Sequence, residues 1–96
     1  MTIVILDSAR DDLADGIAFY ERQQPGLGAY FLDSLLSDID RLQRYAGVHP
    51  KVFGFHRLLS KRFPYAIYYA VEADLVRIRA VLDCRRDPTW IRRRLK

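Results

Sequence analysis

The fold is decided by residues 65–82, YAIYYAVEADLVRIRAVL. The first part of this stretch, Tyr65 to Val71, is rich in aromatic and β-branched residues and predicts a strand. Glu72-Ala73-Asp74 predicts a turn. After the turn, Arg77, Arg79 and Val81 alternate with four apolar residues: Val76, Ile78, Ala80 and Leu82. This period of two predicts a second strand with one apolar face and one arginine-bearing face, as in a sheet covered on one side only.

The residues before this stretch predict a strand and a helical hairpin. Ile3 to Leu6 forms a short β-branched run, and Ser8 resembles the N-cap of a first helix over about residues 9–23. Pro25-Gly26 breaks that helix. A stripe of apolar residues then predicts a second helix over about residues 28–46, with Gly47 as its stop. So short a link between two amphipathic helices makes them an antiparallel hairpin.

The remaining elements complete an α+β domain. A strand is expected near His56–Arg62. Pro88 can begin a last helical turn, with Trp90, Ile91 and Leu95 as candidate anchors and with Arg92, Arg93 and Arg94 exposed. The order β-α-α-β-β-β, followed by a short basic C-terminal tail or helix, predicts a helical hairpin on one face of a small antiparallel sheet. With 96 residues, the chain has the length of one domain, residues 1–96.

The composition excludes several classes of protein. Half of the residues are hydrophobic and 29% are charged, which is typical of a globular chain and not of a disordered one. We expect no membrane span and no signal peptide, because no apolar run is long enough. The single cysteine, Cys84, excludes an internal disulfide and is typical of a reducing cytosol, so a cytoplasmic protein is expected. One Cys and two His also make a zinc site improbable, and neither a metal nor a cofactor is expected.

The charge is distributed unevenly along the chain. Residues 1–48 hold four Arg and eight acids, a net charge of −4, whereas residues 49–96 hold twelve Lys or Arg and four acids, a net charge of +8. This asymmetry predicts a basic surface on the second half that meets something acidic. Nucleic acid and an acidic protein partner both remain open.

Candidate phosphate-binding residues are plentiful, whereas candidate proton donors and acceptors are scarce. His49 and His56 are more often structural at such positions, and Tyr65 lies in a strand where a core or rim role is commoner. A nucleophilic Cys84 would need a thiolate favoured by neighbouring cations, and no histidine is tied to it by the sequence. Trp90 is either an anchor for the tail or an exposed contact residue of the kind enriched at binding hot spots. Arg77 and Arg79 could equally be solvated charge on an exposed face.

Two motifs resemble the RelE/ParE toxins, the small toxins of bacterial type II toxin–antitoxin modules. The first is Pro25-Gly26-Leu27-Gly28 followed by Phe31-Leu32 and an amphipathic helix. The second is Arg62-Phe63-Pro64-Tyr65-Ala66-Ile67-Tyr68-Tyr69, followed by Ala80-Val81-Leu82 and Arg85-Arg86-Asp87-Pro88 with Trp90. The second motif looks like the ParE side of the family, often called plasmid stabilisation proteins. Together the motifs span nearly the whole chain.

The resemblance implies a growth-inhibiting toxin that is held inactive by a cognate antitoxin. ParE-like members act on DNA gyrase, and RelE-like members cut mRNA on the ribosome. Ala66 stands where the RNA-cutting relatives tend to have an arginine, and Trp90 follows Arg86 where they have a Tyr or His, so gyrase inhibition by a non-enzyme is favoured. Asp83 stands where ParE-like members commonly have a His, and Cys84 replaces a small residue.

Each reading implies its own set of site residues. For gyrase binding, the predicted contact residues are Arg77, Arg79, Arg85, Arg86, Trp90, Arg92 and Arg93. For mRNA cleavage, Arg62, Arg79 and Arg86 would hold phosphate, and Tyr65 or His56 would transfer protons. A third reading is a degenerate toxin that binds its antitoxin but no longer inhibits growth.

Overall fold

The computed structural model describes all 96 residues as five strands and four helices. In chain order these are β1 (Thr2–Ile5), α1 (Asp7–Gln23), α2 (Leu27–Asp40), α3 (Leu42–Tyr45), β2 (Lys51–Val52), β3 (Phe55–Leu59), β4 (Tyr65–Glu72), β5 (Leu75–Asp83) and α4 (Pro88–Leu95). The predicted α+β class is confirmed. The predicted order of elements is found with two short additions, α3 and β2, between α2 and β3, and the predicted antiparallel sheet contains one parallel pair. No helix is long and apolar enough to cross a membrane.

The strands form one sheet in the order β1-β5-β4-β3-β2. All neighbours are antiparallel except β1 and β5, which are parallel, with Thr2 opposite Leu75 and Ile5 opposite Ile78. The first strand of the chain therefore joins the sheet through the last one. The long central pair, β4 and β5, forms the predicted turn between Glu72 and Leu75.

The helical hairpin covers one face of the sheet. Phe31 and Leu35 of α2 pack with Ile67 and Tyr69 of β4 in a buried core. An aromatic group continues this core towards the start of β4. The ring of Phe31 lies 5.2 Å from that of Tyr20 and 4.9 Å from that of Tyr65, measured between centroids.

A β-bulge at Arg79 changes which side chains of β5 face the helices. Tyr69 pairs with Ile78 and Tyr68 pairs with Ala80, so Arg79 is an extra residue between them. As a result, Val76 and Ile78 face α1 and α2, whereas Ala80 and Leu82 face the opposite side.

The second face of the sheet is not left bare, so the expectation of a sheet covered on one side only is wrong. Ile91 and Leu95 of α4 pack against Ala66, Tyr68, Ala80 and Leu82. The alternation in the sequence is interrupted by the bulge. The four apolar residues of β5 therefore serve two cores rather than one.

Two helix boundaries also differ from the sequence prediction. The residue before α1 is Leu6, which makes no side-chain cap, and the Ser8 hydroxyl instead donates to the carbonyl oxygen of Arg79 at 2.9 Å. The predicted second helix is interrupted at Arg41, which separates α2 from the single turn α3. Gly47 follows α3 with φ of 90°, a left-handed conformation that favours glycine.

The link between α1 and α2 is held by a carboxylate. Glu21, in the last turn of α1, accepts hydrogen bonds from the backbone N–H groups of Gly26 at 3.1 Å and Gly28 at 3.0 Å. These N–H groups lie at the start of α2, where a helix leaves its donors unpaired and attracts negative charge. One side chain of the first helix thus holds the start of the second.

Candidate functional site

Helix α4 presents the basic end of the chain. Asp87 is its N-cap, because its side chain accepts from the Thr89 N–H at 3.0 Å, and Pro88 occupies the first helical position as predicted. The helix buries Ile91 and Leu95, so Arg92 and Arg93 point to solvent. Neither of these two arginines forms an ion pair.

A hydrogen-bonded network fixes α4 to the body of the protein. Arg94 donates to a carboxylate oxygen of Asp12 at 2.7 Å and to the carbonyl oxygen of Ser8 at 2.8 Å. The other carboxylate oxygen of Asp12 accepts from the N–H of Val81 at 3.0 Å. Burial raises the pKa of Asp12, and the hydrogen bonds from Val81 and Arg94 oppose that rise. Arg94 was expected to be exposed, and that expectation is wrong.

Arg79 belongs to the same network. Its guanidinium donates to the Ser8 hydroxyl at 2.9 Å and to the carbonyl oxygen of Lys96 at 2.8 Å. This side chain therefore ties β5 to α1 and to the end of α4.

A cleft of about 410 Å³ lies between α1 and the segment that joins β5 to α4. On one side, the Arg86 guanidinium lies 3.8 Å from the centre of the Trp90 ring, within the range of a cation–π contact. Phe19 and Arg22 of α1 form the opposite side. The remaining lining residues are Asp12, Asp15, Ala18, Tyr65, Val81, Leu82 and Asp83. The cleft therefore combines exposed aromatic surface with charges of both signs.

Asp83 neutralises one of the arginines beside this cleft. Its carboxylate accepts two hydrogen bonds from the Arg85 guanidinium, at 3.0 and 2.7 Å. This partner holds the pKa of Asp83 below its ordinary value. The two charges face each other, so Arg86 rather than Arg85 is the arginine of this segment that has no acidic partner. Asp83 thus partly cancels the positive charge of the basic segment.

Of the residues proposed for mRNA cleavage, Tyr65 and Arg86 line the same cleft, whereas Arg62, Arg79 and His56 lie outside it. Tyr65 lines the cleft, and burial raises its pKa to about 12, which disfavours proton exchange near neutral pH. His56 pairs with Tyr69, four residues further along β4, which corresponds to about 13 Å of strand. Its Nδ1 lies 2.7 Å from the carbonyl oxygen of His49, and its ring stacks on that of Tyr69. Arg62 lies in the exposed loop between β3 and β4.

The other predicted residues have local roles. Arg77 is exposed and lies 3.6 Å from Glu72, a loose ion pair across the β4–β5 turn. The pKa of the Cys84 thiol is raised by burial, which is the opposite of an activated thiolate.

Three residues of the site, Phe19, Arg22 and Asp12, were not predicted from the sequence. Phe19 carries a detectable signal, because it lies outside the apolar stripe of Leu13, Ile17 and Tyr20, and an aromatic residue on the polar side of a helix is often a contact residue. The sequence holds no such signal for Asp12, because its contact with Arg94 is seen only in the structure.

Comparison with known proteins agrees with this architecture. No protein-family model matches the chain, and no curated protein gives a significant match. A chain in the solved structure of the chromosomal ParDE TA system from P. aeruginosa superimposes with a TM-score of 0.76 over 84% of this chain and 92% of that one, at 19% identity.

The chain has a ParE-like fold. The resemblance that the two sequence motifs indicated is therefore confirmed at the level of the fold. In this ParE-like fold, Tyr65 at the start of β4 lines the cleft, and Arg86 and Trp90 line the same cleft. The two parts of the second motif, which are about 20 residues apart in the chain, are thus brought together.

Proposed function

We propose that the chain is the toxin of a type II toxin–antitoxin module, of the ParE type, that inhibits DNA gyrase in the cytoplasm and is neutralised by a cognate antitoxin. The observation that carries this proposal is the Arg86–Trp90 pair at the mouth of the cleft, next to the unpaired Arg92 and Arg93. An aromatic ring beside uncommitted arginines is the composition that dominates protein-binding hot spots.

The α4 surface is suited to binding a protein because it is rigid. Ile91 and Leu95 are buried, and Arg94 is bonded to Asp12 and Ser8, so the helix backbone loses little freedom when a partner binds to its exposed side. In this proposal Arg86, Trp90, Arg92 and Arg93 make the main contacts. Arg77, Arg79 and Arg85 are the other predicted contact residues, and their intramolecular partners would limit their contribution.

We favour a protein-binding function over mRNA cleavage because of the pKa of Tyr65 and the position of His56, the two candidate proton-transfer residues. Tyr65 has a pKa of about 12 and His56 is held against Tyr69, away from Tyr65. General acid–base catalysis needs a group whose pKa lies near the working pH, within reach of the reacting atom. Neither candidate meets both requirements.

The test is gyrase-driven supercoiling of relaxed plasmid with increasing amounts of the purified chain. We expect dose-dependent inhibition that the antitoxin reverses. Arg86→Ala and Trp90→Ala should each raise the half-inhibitory concentration roughly tenfold or more, as hot-spot truncations do. Arg10→Ala, which removes an exposed arginine from α1, is the matched control and should leave inhibition unchanged.

Absence of inhibition by folded protein would contradict the proposal. A ribosome-dependent mRNA cleavage assay would then be run with the chain and with Tyr65→Phe, which keeps the ring and removes only the hydroxyl. Cleavage that is lost in Tyr65→Phe would establish the enzyme reading. Antitoxin binding without either activity would identify a degenerate toxin.

A further inference from the structure

The turn between β2 and β3 carries an aromatic residue in a strained backbone conformation. Val52 pairs with Phe55, so only two residues form the turn. These are Phe53 and Gly54, with φ of 53° and 88°. Two positive φ values in a two-residue hairpin are the pattern of a type I′ turn, which favours Asn-Gly, Asp-Gly or Gly-Gly. A bulky residue in this left-handed region is an outlier, because its Cβ crowds the following carbonyl oxygen.

The fold gains little from the ring of Phe53. The residue is 42% exposed and belongs to neither hydrophobic core, whereas its neighbours Val52 and Phe55 both pack against the second core. Asparagine adopts the left-handed conformation with less strain, because its short polar side chain can hydrogen-bond locally. Strained residues that the surrounding structure holds in place are typical of functional sites. An exposed aromatic ring on such a residue therefore indicates a contact with another molecule.

The hairpin and α4 lie on the same face of the sheet. The core against which Val52 and Phe55 pack also contains Ile91 and Leu95, the buried residues of α4. A partner that approaches the exposed side of α4 therefore approaches the hairpin from the same direction.

The hairpin turn and the Arg86–Trp90 pair are separate points on this face. His56, just after the turn, pairs with Tyr69, which lies four residues and about 13 Å along β4 from Tyr65 at the cleft. A standard protein interface buries about 800 Å² on each partner, which corresponds to a patch about 30 Å across. One partner can therefore reach both points.

The surroundings of the turn are basic. Residues 41–71 contain six Lys or Arg and no Asp or Glu. One of these cations, Lys51, is exposed in β2 beside the turn. Electrostatic complementarity then requires acidic groups on the partner around the place where Phe53 binds.

We propose that Phe53 is a second contact point for the target protein of the proposed function, and that its ring enters an apolar pocket with an acidic rim. The inference rests on the proposed function, because it takes the partner to be the protein that binds α4. Aromatic residues that fill a pocket on the partner are typical anchors of protein interfaces. The packed base of the hairpin fixes the backbone of Phe53 before binding, which lowers the entropy cost.

The turn fits a protein pocket better than the other occupants of a basic surface. Single-stranded nucleic acid stacks on aromatic rings that lie along a basic groove, whereas the residues on either side of this turn, Val52 and Phe55, are apolar. A second copy of the chain would bring the same cations together, and like charges at close range oppose association.

The experiment removes the ring with a substitution that suits the turn. Phe53→Asn supplies a residue that a type I′ turn favours, so the midpoint temperature of thermal unfolding should equal or exceed that of the wild type. In the gyrase supercoiling assay, its half-inhibitory concentration should rise about tenfold. Tyr30→Gln is the matched control, because it removes an aromatic ring of similar exposure, 48%, from α2. Its half-inhibitory concentration should stay within twofold of that of the wild type.

The outcomes separate the inference from the function on which it rests. If the wild type does not inhibit gyrase, the proposed function fails and the inference fails with it. If the wild type and Phe53→Asn inhibit equally, the turn is not a contact and the proposed function stands. A midpoint temperature of Phe53→Asn lowered by more than about 5 °C would show that the ring serves the fold, and would overturn its role as a contact.

Two binding measurements test the other occupants. The affinity of Phe53→Asn for the antitoxin should stay within twofold of that of the wild type. A tenfold loss of that affinity with normal gyrase inhibition would assign the turn to the antitoxin. Binding of the wild type to duplex DNA alone that Phe53→Asn abolishes would assign it to nucleic acid. Either result would overturn a contact with the target protein.

Discussion

Replacing Asp12 should loosen α4, because this carboxylate joins three elements of the fold. Its side chain is 9% exposed and accepts from the Val81 N–H at 3.0 Å and from Arg94 at 2.7 Å. A hydrogen bond to a charged group contributes about 1.5–3 kcal/mol. Because alanine has a higher helix propensity than aspartate, the substitution offsets about 0.6 kcal/mol of this loss of stability. We therefore expect Asp12→Ala to lower the free energy of unfolding by about 3 kcal/mol and the midpoint temperature by roughly 15 °C.

A double-mutant cycle assigns that loss to the ion pair. Asp12→Ala, Arg94→Ala and the double variant are unfolded in urea and followed by circular dichroism. Because Arg94 is 23% exposed and the pair is largely desolvated, the coupling energy should be about 2 kcal/mol. Glu72 and Arg77 form the matched control, at 3.6 Å with side chains 64% and 50% exposed. Their coupling should not exceed about 0.5 kcal/mol.

Equal coupling in the two cycles would refute this reasoning, because it would mean that burial adds nothing to the Asp12–Arg94 pair. A second readout is amide exchange over residues 89–95, which should accelerate in Asp12→Ala and remain unchanged in Glu72→Ala.

Three further predictions concern the hairpin and the loop after α3. Gly16→Ala places a Cβ 2.5 Å from the Phe31 ring, so urea unfolding should show a net loss of about 1–2 kcal/mol despite the better helix propensity, and a gain would contradict this. Glu21→Gln keeps one acceptor but loses the charge at the start of α2, so thermal unfolding should show a loss of about 1 kcal/mol, and Glu21→Ala should lose more. The Tyr69 hydroxyl lies 2.5 Å from Nδ1 of His49. Burial lowers the pKa of His49, so the folded state binds a proton at this imidazole less readily than the unfolded state does. Stability should therefore be complete above about pH 6.5 and fall as the pH is lowered through the folded pKa, and His49→Asn should flatten this dependence in urea titrations from pH 7.5 to 5.0.

The elements that local pattern decides could be predicted from the sequence. Leu13, Ile17 and Tyr20 recur at helical spacing and therefore share one face of α1. In the structure Leu13 and Tyr20 are buried in the core, and Ile17 packs against it. The alternation in residues 75–82 likewise predicts β5. The Pro88 signal correctly places the start of α4.

What could not be predicted depends on contacts between distant residues. The bulge at Arg79 has no glycine to mark it, and its position follows from the bonds of Arg79 to Ser8 and Lys96 across the fold. Ser8 resembles an N-cap in the sequence, but its hydroxyl is taken by Arg79. Similarly, the Asp83–Arg85 ion pair and the Arg86–Trp90 contact each join residues that are close in sequence. The cleft beside them, however, is also lined by Phe19 from α1, which is distant in sequence.

The parallel pairing of β1 with β5 has a consequence for how the protein is made. Thr2 lies opposite Leu75, so the two ends of a loop of about 70 residues must meet before the sheet closes, and such closure is entropically costly and slow. During synthesis, β1 and the helices beside it lack their main strand until residues 75–83 have been added. The cleft and the surface of α4 depend on these same residues. The protein therefore becomes competent to bind a target through this surface only after β5 and α4 have been synthesised.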